Sequence, residues 1–257
     1  MIELLLLLGA GFLVGVMNAI AGGGVLLAFP IMLSGGLSPI VANVSASVAV
    51  LPGLLSSAFG YRSYIKRIYR PYLLLLIPCL VGSIGGALLL IHTPSSNFDA
   101  LVPWLVLFAV TLFAFQPYIH RKVAVQHANK KRRSAVKPLI LLSLAVIPLA
   151  IYGGYFGAGF GFIMLAFLGF SGMHNIHKMN GLKNLASAVI AITTIIVVIP
   201  SNLIDWRVAG IMAIGSLVGG IVGSRLAVRV PSQLLRYIVI GIGASTVVYL
   251  FVDSLAS

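Results

Sequence analysis

The sequence predicts an all-α integral membrane protein built from two homologous repeats. Hydrophobic residues make up 60% of the chain and charged residues only 8%, whereas a soluble domain carries about 25% charged residues. The long apolar runs lack the alternation of an outer-membrane barrel, so helices are expected to span the membrane. When residues 19–98 are shifted forward by 137 positions, Asn43 falls on Asn180 and Gly86 on Gly223. The second half is therefore expected to repeat the fold of the first.

Eight apolar stretches, four in each half, define the expected elements. They lie at about 2–33, 38–60, 71–91, 100–118, 139–170, 180–200, 207–225 and 234–252. The first stretch of each half is too long for one simple span and contains a glycine cluster, which interrupts helices. We expect it to form two helical pieces around a non-helical turn, on either a spanning or a re-entrant path. Three transmembrane helices follow it in each half.

The same pattern divides the chain into three regions. An N-terminal membrane repeat covers residues 1–118, a basic cytoplasmic linker covers 119–137, and a C-terminal membrane repeat covers 138–257. The linker carries seven lysines and arginines and no acidic residue. Such a segment is attracted to anionic lipid at the cytoplasmic surface.

The distribution of lysine and arginine favours inverted repeats. If the first stretch of each half re-enters, the second repeat is inverted, and 16 of the 17 basic residues lie on the cytoplasmic side. Four full spans per half would give parallel repeats, with 12 basic residues inside and five outside. The positive-inside rule therefore favours inversion with both termini outside. The net charge of +13 is read as a topology signal, and no nucleic-acid partner is expected.

The glycine clusters are candidate walls of a binding site. Non-helical backbone inside a membrane is tolerated only where protein or a wet cavity surrounds it. A short helix follows each break, and its N-terminal N–H groups and dipole attract anions. The candidate residues here are Gly22, Gly23, Gly24, Gly157, Gly159 and Gly161. We expect Gly23 and Gly159 in particular to present bare backbone; the alternative is that the glycines only allow close helix packing.

Polar side chains at the start of the second element of each half accompany these breaks. They are Asn43, Ser45 and Ser47 in the first half and Asn180, Lys183 and Asn184 in the second. Membrane-embedded polar residues usually face the bundle interior or a pathway. Lys183 has two readings, either an anion-binding lysine or a lysine that snorkels to the interface.

The sequence argues against a cation pathway, a metal site and enzyme activity. The four acidic residues, Glu3, Asp99, Asp205 and Asp253, lie at ends or in loops, so a cation pathway is not expected. His174 and His177 have no cysteine or carboxylate nearby to complete a metal site. Catalytic motifs are lacking, and we expect no enzyme activity, metal or cofactor. The pairs Gly82/Gly86 and Gly219/Gly223 are typical of close helix packing.

Two signatures make a family resemblance visible. The first half contains Ala19-Ile20-Ala21-Gly22-Gly23-Gly24-Val25-Leu26 and Leu37-Ser38-Pro39, and the second contains Phe156-Gly157-Ala158-Gly159-Phe160-Gly161. With these residues the chain resembles the TauE/SafE sulfite-exporter family of membrane permeases over nearly its whole length. The resemblance implies transport of small sulfur-containing or organic anions such as sulfite, sulfonates or sulfoacetate. The chain departs from the family in a glycine run only three long, and in Ser45 and Ser47, where relatives carry lysine or threonine.

These observations lead to one expected function and two rivals. We expect a secondary permease of the inner membrane that moves a small anion, sulfite or an organosulfonate, by alternating access between inverted repeats. Its partners are the anion and the lipid bilayer, and the oligomeric state is left open. A membrane-embedded enzyme would need a catalytic dyad or metal set within the membrane. An assembly or insertion factor would instead have a wide polar groove and dispensable glycine pairs.

Overall fold

A computed structural model describes residues 2–20, 22–128, 139–173, 175–226 and 232–256. These residues are predominantly helical, and no strand occurs among them. The helices are α1 (Ile2–Ile20), α2 (Gly24–Ser34), α3 (Pro39–Gly60), α4 (Arg62–Ile65), α5 (Arg70–Leu73), α6 (Leu76–His92), α7 (Ser95–Ala128), α8 (Leu139–Tyr155), α9 (Phe160–Phe170), α10 (Ile176–Val198), α11 (Trp206–Leu226) and α12 (Ser232–Ala256). A short 3₁₀ turn, Ile199–Ser201, follows α10.

The first segment of each half is broken at its glycine cluster, which confirms the sequence prediction. In the first half the break separates α1 from α2, and in the second it separates α8 from α9. Gly22, Gly157 and Gly159 have φ angles of 94°, 74° and 81° in these breaks. Residues with a side chain rarely adopt such φ angles. Glycine therefore allows the chain to turn at these three positions.

Six helical stretches among the described residues have the length and apolar composition to cross a membrane. They are Ile2–Ile20, Pro39–Gly60, Arg70–His92, Ser95–Leu112, Ile176–Ser201 and Trp206–Leu226. The short helices α2 and α9 have 11 residues each. At 1.5 Å per residue such a helix covers roughly half of the hydrocarbon thickness, so it cannot span alone.

The two halves interlock through reciprocal helix contacts. The first helix of the chain, α1, packs mainly on α11 of the second half, and α8 packs mainly on α6 of the first. Each broken segment therefore lies against the matching helix of the other half. The equivalent helices α3 and α10 contact each other, as do α7 and α12.

The small-residue motifs lie at these reciprocal contacts, as the sequence predicts. A Cβ added at Gly219 would collide with the Phe12 carbonyl of α1. At Gly86 it would meet the Ile151 carbonyl of α8. Because backbone approaches backbone at both places, any side chain would force the helices apart.

Gly86 and its neighbour Gly85 form a matched pair for testing this packing. A Cβ at Gly86 would lie 2.8 Å from the Tyr155 backbone nitrogen, whereas one at Gly85 has only the Ile151 side chain at 3.9 Å. We expect Gly86→Ala to lower the free energy of unfolding by about 1–3 kcal/mol. Gly85→Ala should be neutral or slightly stabilising, because alanine favours helices. Melting curves in detergent measure both, and equal melting temperatures would contradict the close packing.

The directions of three helices follow from their contact pairs. These are Gly11 with Met212 and Gly15 with Ser216 for α1, and Gly53 with Ser216 and Gly60 with Ser224 for α3. Along α1 and along α3, a residue with a higher number contacts a residue of α11 with a higher number. Helices α1, α3 and α11 therefore run in the same direction.

Part of the predicted organisation lies outside the described residues. Helix α7 continues to Ala128, so it includes the first ten residues of the predicted linker 119–137. Residues 129–138 are not described, and the linker stays a prediction. Ala21 of the first glycine signature and His174 of the histidine pair also lie outside the described residues.

Candidate functional site

The two glycine breaks contact each other between the two halves. A Cβ on Gly161 would lie 2.6 Å from the Gly22 carbonyl oxygen, and one on Gly22 would lie 3.1 Å from the Gly161 Cα. The shorter separation requires glycine at position 161, and the φ of 94° favours glycine at position 22. The fold therefore brings together two breaks that are more than a hundred residues apart in the sequence.

Lys183 lies beside this contact on α10 and is fully buried. Its Nζ donates to the Asn18 backbone oxygen at 2.8 Å and to Asn180 Oδ1 at 3.2 Å. A Cβ on Gly22 would lie 3.2 Å from Nζ, so the break packs directly on the amine. The snorkelling interpretation of Lys183 is wrong, because the side chain points into the protein rather than to an interface.

Lys183 has no carboxylate partner among the described side chains. The one ion pair found there joins Arg207 to Glu3 at 3.7 Å, and both of these side chains are exposed. A charge held within a membrane protein without a counter-charge is costly. An anion beside Lys183 would therefore interact with the amine without competition from a carboxylate of the described residues.

A small cavity of about 30 Å³ lies next to the lysine. Its lining is drawn from both halves and consists of Asn18, Gly22, Val25, Ser47, Val50, Leu54, Gly153, Gly157, Phe160, Gly161, Ser187, Ile190, Ala191 and Thr194. The volume is enough for one or two water molecules. A multi-atom anion therefore needs the two breaks to separate before it can occupy this space.

Four of the predicted site residues, Gly22, Ser47, Gly157 and Gly161, line the cavity. Lys183 is not itself in the lining, but it contacts Asn18 and Gly22, which are. The residues that begin α9, and Val25 near the start of α2, also face the cavity. The N-terminal ends of both short helices thus lie at the cavity, and their binding of an anion stays a prediction.

The predicted asparagines lie close to this centre without lining it. Asn180 orients Lys183, and Asn43 donates through Nδ2 to the Tyr155 backbone oxygen at 3.0 Å. Asn184 is fully buried, and within the part of the chain that the structure describes neither polar atom of its side chain has a hydrogen-bond partner. Ligand contact by these side chains stays a prediction.

Other predicted residues have different neighbours. Ser45 accepts a hydrogen bond from the Asp205 backbone nitrogen at 2.9 Å, which ties α3 to the loop before α11. Gly159 has a φ of 81°, and a Cβ there would lie 3.3 Å from Ala109 on α7, so a side chain at this position would be strained; Gly159 does not line the cavity. Gly23 has a φ of −104°, which any residue can adopt. The positive φ lies at Gly22 instead, and the expectation that Gly23 presents bare backbone to an anion stays a prediction.

The two repeats are not equivalent at the site. The Tyr155 oxygen at the end of α8 accepts from Asn43, while the matching Asn18 oxygen at the end of α1 accepts from Lys183. The position that matches Lys183 in the first repeat is Ala46. The site therefore has an ionisable lysine on one side and none at the matching position on the other.

The end of α1 is held from a second direction by Tyr61, directly after α3. Its hydroxyl donates to the Ala19 oxygen at 3.3 Å. Burial, together with the neighbouring Tyr64, raises the pKa of Tyr61 to about 12. The hydroxyl therefore stays protonated near neutral pH and keeps its role as a donor.

Sequence reasoning missed three polar residues of the cavity, Asn18, Ser187 and Thr194. A signal for each was present. Asn18 is the one uncharged polar side chain in α1. Ser187 and Thr194 follow Lys183 by four and eleven residues, a spacing that places all three on one helical face.

Comparisons with known proteins find a family and relatives that are described as membrane transporters. Residues 7–250 match the family described as "Sulfite exporter TauE/SafE". A Haemophilus influenzae protein named "Probable membrane transporter protein" is 28% identical, with 92% of this chain and 90% of the relative aligned. The Escherichia coli K12 protein named "Probable membrane transporter protein YfcA" is 27% identical, covering 97% and 91%. A Sinorhizobium protein named "Probable membrane transporter protein ORF9" is 26% identical, covering 95% and 90%.

No solved structure matches the chain at a significant level. The family and the relatives are described as transporters rather than enzymes, and the spans make this a multi-pass membrane protein. The match extends over almost the entire chain and includes both glycine breaks and Lys183. The chain therefore belongs to the TauE/SafE sulfite exporter family of membrane transporters.

Proposed function

We propose that this protein is a secondary permease that moves sulfite or an organosulfonate across the inner membrane by alternating access. The observation that carries the proposal is the buried Lys183, which lies without a carboxylate partner where the two glycine breaks meet. A sulfur oxyanion supplies the missing negative charge. The helix N-termini at Val25 and Phe160 add the positive ends of two dipoles.

Alternating access requires the contact between the two breaks to open on either side. Gly22 and Gly161 touch, and the cavity beside them is too small for a multi-atom anion. We infer that this is a closed arrangement, and that each short helix moves with its own repeat. Transporters built from paired repeats move one repeat against the other around a fixed site.

We further propose that the repeats are inverted and that the first segment of each half re-enters. Gly181, near the start of α10, packs against Tyr61 and Ile65 beyond the end of α3. This contact supports an antiparallel crossing of the two equivalent helices, which is the relation that inversion requires. Because α1 and α3 run in the same direction, α2 between them must bring the chain back.

The basic residues give this arrangement an orientation. Gly60 contacts Ser224, and Tyr64 stacks on His177 with ring centroids 4.8 Å apart. These contacts place the basic segment after α3 beside the start of α10 and the end of α11. The positive-inside rule assigns that end of the bundle to the cytoplasm.

We therefore expect a reporter fused after residue 257 to face the cell exterior or periplasm. An alkaline phosphatase fusion there should be active, and a fluorescent protein fusion there should be dark. The matched control is a fusion within the basic segment after Arg67, where the two reporters should behave the other way round. A fluorescent C-terminal fusion would contradict the inverted arrangement.

Transport itself is tested with purified protein in liposomes. The panel contains radiolabelled sulfite, sulfate, thiosulfate, taurine and sulfoacetate, with protein-free liposomes as the control. We expect saturable uptake of sulfite or of at least one sulfonate. If well-folded protein moves none of them, the sulfur-anion proposal is wrong, and an assembly role without transport becomes the better reading.

A further inference from the structure

Asn18 joins three parts of the site through one side chain and its own backbone. Its backbone oxygen accepts from Lys183 at 2.8 Å. Its Oδ1 accepts from the Gly24 backbone nitrogen at 2.9 Å, which caps the start of α2. Its Nδ2 has no hydrogen-bond partner among the described residues, although the side chain is buried, with a relative exposure of 3%.

The orientation of this amide follows from chemistry. The Gly24 N–H can only donate, so the atom that faces it must be the amide oxygen. The free group is therefore the NH₂, which has two donor hydrogens. Asn18 also lines the cavity. A buried donor without an acceptor destabilises a protein, so the amide is poised for an acceptor that arrives from outside.

The charges around the cavity restrict what that acceptor is. Lys183 is the one charged side chain in contact with the cavity wall among the described residues, and the polar groups Ser47, Ser187 and Thr194 are neutral. A singly charged anion cancels one lysine. A doubly charged anion would leave a net negative charge in a region of low dielectric constant, which is costly.

We propose that the cavity selects a singly charged oxyanion of the sulfonate or hydrogen sulfite type, and that the Asn18 amide donates a hydrogen bond to one of its oxygens. This inference rests on the proposed function, because it concerns the same site. It goes beyond that function by giving the charge of the transported form and a direct ligand for it. Asn18 binds the anion, and its hydrogen bonds with Lys183 and with α2 connect the bound anion to both repeats.

The charge rule is tested with two anions that share an SO₃ group. Methanesulfonate carries one negative charge, and sulfate carries two. Each is added to the purified full chain with bound radiolabelled sulfite, and displacement is measured. We expect methanesulfonate to displace sulfite at a concentration at least about tenfold below that of sulfate. Equal displacement by both anions overturns the charge rule.

Two variants test the role of Asn18. Asn18→Asp keeps a good cap for α2 but replaces the donor with a carboxylate. Its melting temperature should not fall below that of the wild type, and its affinity for sulfite should fall by about 100-fold or more. Asn18→Ala keeps the charge balance and removes the donor, and its affinity should fall by about tenfold.

These measurements distinguish a failure of the proposed Asn18 role from a failure of the proposed transport function. If Asn18→Ala melts at a lower temperature and both variants bind sulfite normally, Asn18 is only a cap for α2, which overturns the inference. If Asn18→Ala does not fold, Asn18→Asp still tests the role of Asn18. Normal sulfite affinity in Asn18→Asp would also show that the amide does not bind the anion. If the wild type binds neither sulfite nor methanesulfonate, the proposed function fails, and the inference fails with it.

Discussion

Lys183→Met is expected to abolish anion transport while the protein remains folded. Methionine has a similar volume and fills the same buried space, but it carries no charge. Removing a buried charge stabilises a protein, and this gain offsets the lost hydrogen bonds to Asn18 and Asn180. We expect sulfite uptake to fall by at least about 30-fold, equivalent to about 2 kcal/mol of lost anion binding. Liposome flux and melting curves on the same preparation measure both effects.

Lys183→Arg is the charge-preserving control. The side chain is completely buried, so the longer and planar guanidinium cannot adopt the same position. We expect this variant to retain part of the flux, in contrast to Lys183→Met. Normal uptake by a folded Lys183→Met protein would remove the lysine from the site.

The second large effect is expected from alanine at the contact between the breaks. A Cβ at Gly161 would lie 2.6 Å from the Gly22 oxygen, and a Cβ at Gly22 would also require a φ of 94°. Both substitutions would push the two breaks apart and displace Lys183. We expect Gly22→Ala and Gly161→Ala each to lose most sulfite flux, while the protein still purifies as a folded monodisperse species.

Gly9 in α1 and Gly210 in α11 supply matched controls. Among the described residues, a Cβ at either position meets no atom within 4 Å outside its own stretch of helix. Alanine there should leave flux unchanged and add up to about 1 kcal/mol of helix stability. If Gly22→Ala and Gly161→Ala lower the melting temperature but transport normally, the breaks serve helix packing and do not form the site.

Local sequence features predicted much of this fold. The helix breaks at Gly22 and Gly159 follow from backbone conformations that are open to glycine, and such preferences act within a few residues. The pairs Gly82/Gly86 and Gly219/Gly223 were predicted as packing motifs because residues without a side chain let two helix backbones approach closely. The repeat then located the second break from the first.

Details of the site depended on contacts that the sequence does not reveal. Gly22 rather than Gly23 has the positive φ, and it packs against Gly161, which lies far away in the chain. Ser45 and Ser47 are two residues apart on α3, yet only Ser47 lines the cavity, because α11 and its preceding loop lie on the other side. Asn18 combines local capping with a contact to Lys183 that exists only after the halves interlock.

The most direct test of the central claim is equilibrium binding of radiolabelled sulfite to purified wild type and Lys183→Met. Binding does not depend on the direction of transport or on a coupling ion, so it isolates the site itself. We expect saturable binding to the wild type with one anion per chain, and no saturable binding to a folded Lys183→Met protein. Wild-type affinity in Lys183→Met would contradict an anion site at the meeting of the two glycine breaks.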